Sequence, residues 1–139
     1  MKTPTTPSML IAILLAFVAL GATKAQAFID IYRPVGITFG QTARVTAANT
    51  GTTAIIIDGC KFLDSDGNVL AEFDGGIIDP GNMIAFDLNA DDIVRESNRI
   101  QIRVVIEGPQ RHLDNLRLSL EVFNNADGKT TVFLGGPDT

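Results

Sequence analysis

The chain has 139 residues, with 11 basic and 16 acidic side chains and a single cysteine. An acidic chain lacks the positive charge that drives nucleic-acid binding, and one cysteine excludes an internal disulfide. We therefore expect a single domain without a nucleic-acid partner, stabilised by its apolar core alone.

The first 27 residues have the pattern of a secretory signal peptide. Lys2 precedes an unbroken apolar run, Met9 to Leu20, and the segment ends in Ala25-Gln26-Ala27, a small-x-small cleavage pattern. A bilayer span takes about 20 apolar residues, more than this run offers. We expect cleavage after Ala27, which would leave residues 28–139 as one secreted or periplasmic domain with no stable membrane insertion. An uncleaved anchor or a core helix is the alternative.

Removal of this segment makes the chain more acidic. Its two lysines leave with it, so nine basic and sixteen acidic residues remain, a net charge of −7. Repulsion from anionic lipid and DNA is the expected consequence.

The first half of the mature chain reads as short strands separated by turns. Phe28 to Tyr32 alternates, and Pro34 predicts that this strand lies at a sheet edge or is split there. Val35 to Phe39 and Thr42 to Asn49 follow. The apolar phase changes within the next strand, Ala54 to Leu63, which predicts a bulge at Asp58-Gly59.

The second half contains further strands and one segment with helical character. Val69 to Phe73 and the row Ile84, Phe86 and Leu88 are predicted strands, and Thr130 to Leu134 is the last. Between them, Asn89 to Asn98 predicts one or two helical turns, with Asn89 as the cap.

Two long alternating strands dominate the apolar pattern: Arg99 to Glu107 and Leu116 to Asn124. If they pair as a hairpin, the register that joins opposite charges places Arg103 opposite Glu121 and Glu107 opposite Arg117. In the alternative, the link Gly108–Asn115 carries the chain to a second sheet, and the two strands do not pair.

About eight short strands with almost no helix predict an all-β fold, an antiparallel immunoglobulin-like β-sandwich of seven to eight strands. Four segments carry a resemblance: GQTARVTAANTG (Gly40 to Gly51), CKFLDSDGNVL (Cys60 to Leu70), IDPGNMIAFDL (Ile78 to Leu88) and LEVFNNADGKTTVFL (Leu120 to Leu134). On these segments the chain resembles small exported bacterial immunoglobulin-like domains. The resemblance implies this fold and export, and it implies no activity.

The only metal candidate is weak. Asp64, Asp66 and Asn68 are spaced like the start of a calcium loop, but Val69 stands where the pattern needs glycine and Gly75 where it needs a carboxylate. A hairpin turn is the simpler interpretation. Farther along the chain, solvated loop carboxylates explain a second acidic group, which comprises Asp79, Asp87, Asp91 and Asp92.

The other candidate residues do not form a recognisable catalytic set. Cys60 is expected to be a buried inert thiol, with an intermolecular disulfide or a reactive thiol as alternatives. His112 is the sole histidine, and no metal-ligand spacing or nucleophile motif accompanies it. Sugar-stacking aromatics are scarce: there is no tryptophan, Tyr32 is the only tyrosine, and Phe123 points outward by parity unless the last strand covers it.

From these patterns we expect an exported, non-enzymatic structural or protein-interaction module that needs no cofactor. Its partner would be a protein at the cell envelope or exterior, reached through loops or an open sheet edge. A carbohydrate- or calcium-binding module is the alternative.

Overall fold

A computed structural model describes residues 26–95 and 98–135, with side chains described from residue 33 onward. Eight strands account for most of this part of the chain. They are β1 (Gln26–Thr38), β2 (Gln41–Asn49), β3 (Ile55–Leu63), β4 (Val69–Ile78), β5 (Met83–Asn89), β6 (Arg99–Pro109), β7 (Leu116–Asn124) and β8 (Thr130–Gly135). The predicted all-β fold with about eight strands is confirmed.

The strands form two antiparallel four-stranded sheets. The first sheet has the order β1-β6-β3-β4, and the second has the order β5-β2-β7-β8. The chain therefore changes sheet at β1–β2, β2–β3, β4–β5, β5–β6 and β6–β7, and stays within one sheet only at the β3–β4 and β7–β8 hairpins.

One apolar core lies between the two sheets. In β6 and β7, alternate residues point into it, because side chains on a strand alternate between its faces. Ile102, Val104 and Ile106 are fully buried, as are Leu120 and Val122. These two inward rows are the ones that the sequence predicts.

The edge position of β1 agrees with its proline. The register between β1 and β6 shifts between Ile31 and Val35, on either side of Pro34. Since proline cannot donate to a ladder, an edge strand with an irregular register accommodates it. The predicted signal peptide lies outside the described residues up to residue 25, and the predicted cleavage point after Ala27 falls near the start of β1.

The predicted bulge at Asp58-Gly59 is wrong, although the apolar residues on both sides of it do face the core. Both apolar groups of β3 are buried, but Ile57↔Gly76 and Gly59↔Asp74 keep one register with β4, and the shift lies at Phe62/Leu63. In β4 the inward-pointing residues also switch between odd and even numbers beside this point. Both strands therefore exchange their inward and outward faces at the same place. Gly75 permits this, since a Cβ there would lie 2.0 Å from the carbonyl oxygen of Ile57.

The predicted β6–β7 hairpin is also wrong, because these strands belong to different sheets. The link between them begins with a helical turn, α1 (Gln110–Leu113), that the sequence pattern did not reveal. Leu113 is buried, and the carbonyl of Asn115 accepts a hydrogen bond from the Thr50 N–H at 3.0 Å. This contact lies at the β2–β3 turn and directs β7 onto β2, where all nine residues pair.

The segment predicted to be helical forms a single 3-10 turn, Ala90–Asp92. Asn89 caps it as expected, since its side-chain oxygen accepts the Asp91 N–H at 3.1 Å. Within the described residues, no helix is long and apolar enough to cross a membrane.

Candidate functional site

The calcium candidate is a closed turn between β3 and β4. Oδ1 of Asp64 accepts the N–H groups of Asp66 at 2.9 Å and Asn68 at 2.8 Å, and Oδ2 accepts the Asn68 side-chain amide at 2.9 Å. Gly67 has a φ of 88°, which glycine adopts without strain. These hydrogen bonds, led by those from Asn68, lower the pKa of Asp64. Both carboxylate oxygens therefore serve the turn itself.

Two members of the second acidic group, Asp87 and Asp91, lie apart and have separate structural roles. Asp87 points outward on β5 and binds Arg44 of β2 through two hydrogen bonds, of 2.7 and 2.6 Å. Asp91 accepts the Gly40 N–H and, at 3.3 Å, the side-chain amide of Asn125. Across residues 26–95 and 98–135, no three His, Cys, Asp or Glu side chains come close enough together to hold a metal ion.

Asn125 belongs to a polar cluster at one end of the second sheet that sequence reasoning missed. Its side-chain oxygen accepts the Thr42 hydroxyl at 2.6 Å, and its amide donates to Asn89 at 3.1 Å as well as to Asp91. Three loops meet there because the strands pair in an order that local patterns do not specify. The cluster ties the β1–β2, β5–β6 and β7–β8 connections together.

His112 acts as a structural acceptor. Its Nδ1 lies 2.9 Å from the N–H of Ile56, at the end of β3 where pairing with β6 has stopped. The ring therefore supplies an acceptor to a strand residue that lies beyond the end of the ladder. No local signal in the sequence connects residues 56 and 112.

Cys60 lies in the core and is fully buried. Burial raises the pKa of its thiol from 9.0 to about 12, because the thiolate would lose its hydration. A thiol in this state is a poor nucleophile and has no access to another chain. The position agrees with the predicted inert thiol.

Lys61, the residue after Cys60, lies on the outer face of the first sheet. Its side chain connects three strands. Its Nζ lies 2.7 Å from Glu107 of β6 and 3.3 Å from Glu72 of β4. The hydrogen bond to Glu107, and then that to Glu72, raises the pKa of Lys61. Glu107 thus pairs with Lys61 rather than with Arg117, the partner that the hairpin register predicted.

The outer face of the second sheet also carries a row of charged side chains. Arg44 lies between Asp87 and Glu121 in the strand register, and its guanidinium carbon is 5.3 Å from the ring centroid of Phe123. The bond to Asp87 is the largest cause of the raised pKa of Arg44. Phe123 is half-buried between this cation and Thr130 of β8, so the last strand covers it in part. The side chain of Tyr32 lies outside the described residues.

Large apolar side chains are exposed at the sheet edges. Ile77 on β4 is 71 % exposed, Met83 on β5 is 67 % exposed and Phe133 on β8 is 64 % exposed. Ile77 also lies directly opposite Ile56, which is exposed on β3. The two isoleucines form an apolar pair on the outside of the first sheet, which we call the Ile56–Ile77 pair.

Comparison of the chain with protein-family models, curated protein sequences and solved structures returns no match.

Proposed function

We propose that this protein is an exported, non-enzymatic structural or protein-interaction module of the periplasm or cell exterior, built on an immunoglobulin-like sandwich. The observation that carries the proposal is the placement of exposed apolar side chains. Ile77, Met83 and Phe133 lie on three of the four edge strands, where they are accessible to another chain. Exposed apolar groups beside an open strand edge suit recognition of protein rather than of small polar ligands.

The immunoglobulin-like part of the proposal rests on two strand pairs, β2 with β5 and β3 with β6. In an immunoglobulin sandwich, strand B pairs with strand E, and strand C pairs with strand F. Here β2 pairs with β5, and β3 pairs with β6, in the same antiparallel sense. The neighbours of these pairs differ: β1 lies beside β6, where strand G would be, and β7 lies beside β2, where strand A would be.

Cross-linking in the exporting cell tests the interaction role. We expect the wild-type chain to cross-link to a defined protein, and Ile77→Lys to weaken this because it places a charge in the Ile56–Ile77 pair. Ala85→Lys is the matched control: it adds the same charge at an exposed position on β5. A chain that cross-links to no protein, but whose melting temperature rises with calcium or glycans, would instead support the ligand-binding alternative.

A further inference from the structure

In the part of the chain that the structure describes, β8 is the one edge strand without a charged residue. The sheet edges in this part belong to β1 and β4 in the first sheet and to β5 and β8 in the second. Proteins commonly protect such edges with charged residues, proline or irregular register. β1 has Pro34, β4 has Glu72 and Asp74, and β5 has Asp87, whereas Thr130–Gly135 has neither a charge nor a proline.

The last four residues of β8, Val132 to Gly135, form a regular stretch with apolar side chains on both faces. Its register with β7 is constant from Val132 to Gly135, and the shift lies before this stretch, at Val122/Phe123 of β7. Val132 and Leu134 point inward and are only partly buried, while Phe133 points outward. The strand therefore offers a straight edge with unburied apolar surface on each side.

We propose that this edge binds a second copy of the chain, by antiparallel pairing of β8 with β8 about a two-fold axis at Phe133. The proposal rests on the function proposed above, since it names a partner for the interaction module. Facing residues in an antiparallel pair share a side of the sheet, so the two inward rows must be matched. With Phe133 opposite its own counterpart, Val132 faces Leu134 of the second copy, and both half-buried rows are completed.

Other registers of the same parity are poorer. A shift in one direction places Phe133 opposite Thr131, and a shift in the other places it opposite Gly135. Either shift loses the aromatic pair, which is among the more favourable cross-strand contacts.

The self-complementary row Val132, Phe133 and Leu134 points to a second copy as the occupant, and the charge pattern permits it. After the predicted cleavage the chain has a net charge of −7, so two copies repel each other as whole molecules. Pairing at β8 places no charged residue opposite another, and the edge offers no charge for a charged partner to recognise. The repulsion that remains comes from the rest of the molecule, and because salt screens it, dimerisation should strengthen as ionic strength rises.

Sedimentation equilibrium of the protein, expressed with its complete N-terminal segment in an exporting host, tests the pairing. We expect a reversible dimer, and we expect Phe133→Lys to raise its dissociation constant at least about tenfold, because each copy contributes this side chain to the axis. Ala85→Lys is the control: it adds the same charge at an exposed residue on the outer face of β5 and should change the constant less than about twofold. Unchanged melting temperatures would show that both variants fold.

Cysteine placement tests the register. Phe133→Cys should form a disulfide-linked dimer on oxidation, because facing residues lie about 4.5–5.5 Å apart between Cα atoms. Thr131→Cys should not, since in this register residue 131 faces Gly135 and lies about 13 Å from its counterpart.

Three results would overturn the pairing: a monomer at all concentrations, a dimer weakened as much by Ala85→Lys as by Phe133→Lys, or a disulfide formed through Thr131→Cys alone. A monomer that still cross-links to another protein in the cell would overturn self-pairing and leave the proposed interaction role intact. A monomer that cross-links to nothing would remove both.

Discussion

Polar side chains in this protein mostly satisfy backbone groups and neighbouring charges. Asp64 binds the amides of its own turn, Asp91 binds the Gly40 N–H, and His112 accepts the N–H of Ile56. Backbone N–H groups that the strand ladders leave without a backbone acceptor are paired by these side chains, which explains why these residue types occur where no catalytic motif surrounds them.

We expect no saturable calcium binding below about millimolar at Asp64, Asp66 and Asn68. A calcium ion would have to displace the hydrogen bonds that Asp64 accepts from Asp66 and Asn68, and the loop lacks the terminal carboxylate. Titration calorimetry on the wild type and Asp66→Ala measures this. Micromolar binding that disappears in Asp66→Ala would show that the turn is a calcium site after all.

We expect the Cys60 thiol of the folded protein to resist a thiol reagent such as DTNB at pH 8. Its pKa of about 12 leaves almost no thiolate, and the side chain is fully buried. One equivalent should react once urea unfolds the chain, and Cys60→Ala should give no reaction in either state. Prompt labelling of the folded wild type would favour the reactive-thiol alternative.

The same thiol predicts a direction for stability against pH. The folded-state pKa is raised above its ordinary value of 9.0, so above about pH 9 the unfolded chain loses a proton that the folded chain keeps. Stability contributed by the neutral thiol is therefore present below pH 9 and declines as pH rises through the interval up to about 12.

The two strands β3 and β4 exchange their inward and outward faces at the same place, and a glycine makes this possible. Phe73 points inward in one half of β4, and Ile78 points inward in the other, although their sequence parity differs. Backbone of the two strands approaches closely between these halves, at Gly75. The change keeps apolar residues of both halves in one core.

We expect Gly75→Ala to lower the free energy of unfolding by about 3 kcal/mol or more, since its Cβ would overlap the Ile57 carbonyl, a backbone group that cannot rotate away. Gly76→Ala is the matched control. Its nearest neighbour would be Cδ1 of Ile84 at 3.9 Å, an ordinary contact, so its effect should stay within about 1 kcal/mol. Urea denaturation of both variants measures the difference, and equal effects would contradict the close approach.

The sequence predicted most strands and their inward faces because alternation is a local property. Ile102, Val104 and Ile106 needed only their own spacing to be placed in the core. Which strands pair is not local, and the hairpin register failed for this reason. Charge matching correctly singled out Glu107 and Glu121 as residues with basic neighbours, but those neighbours are Lys61 and Arg44, which come from distant parts of the chain.

At the scale of the whole molecule, the two sheets divide the chain so that consecutive strands mostly lie in different sheets. Two open four-stranded sheets have four edge strands, and among the side chains that the structure describes, three of these strands expose a large apolar one. The candidate sites that depend on tertiary proximity, the polar cluster around Asn125 and the contact of His112 with Ile56, follow from this strand order. They could not be found before the order was known.

The proposed partners lie outside the cytoplasm, so the protein can reach them only if it is exported. Intact-mass measurement of the protein recovered from the periplasm or medium tests export most directly. The expected mass is that of residues 28–139, since Ala25 and Ala27 occupy the positions where signal peptidase requires small side chains. A product that stays with the membrane and retains Met9 to Leu20 would overturn the proposed cleavage and show a membrane-tethered domain instead.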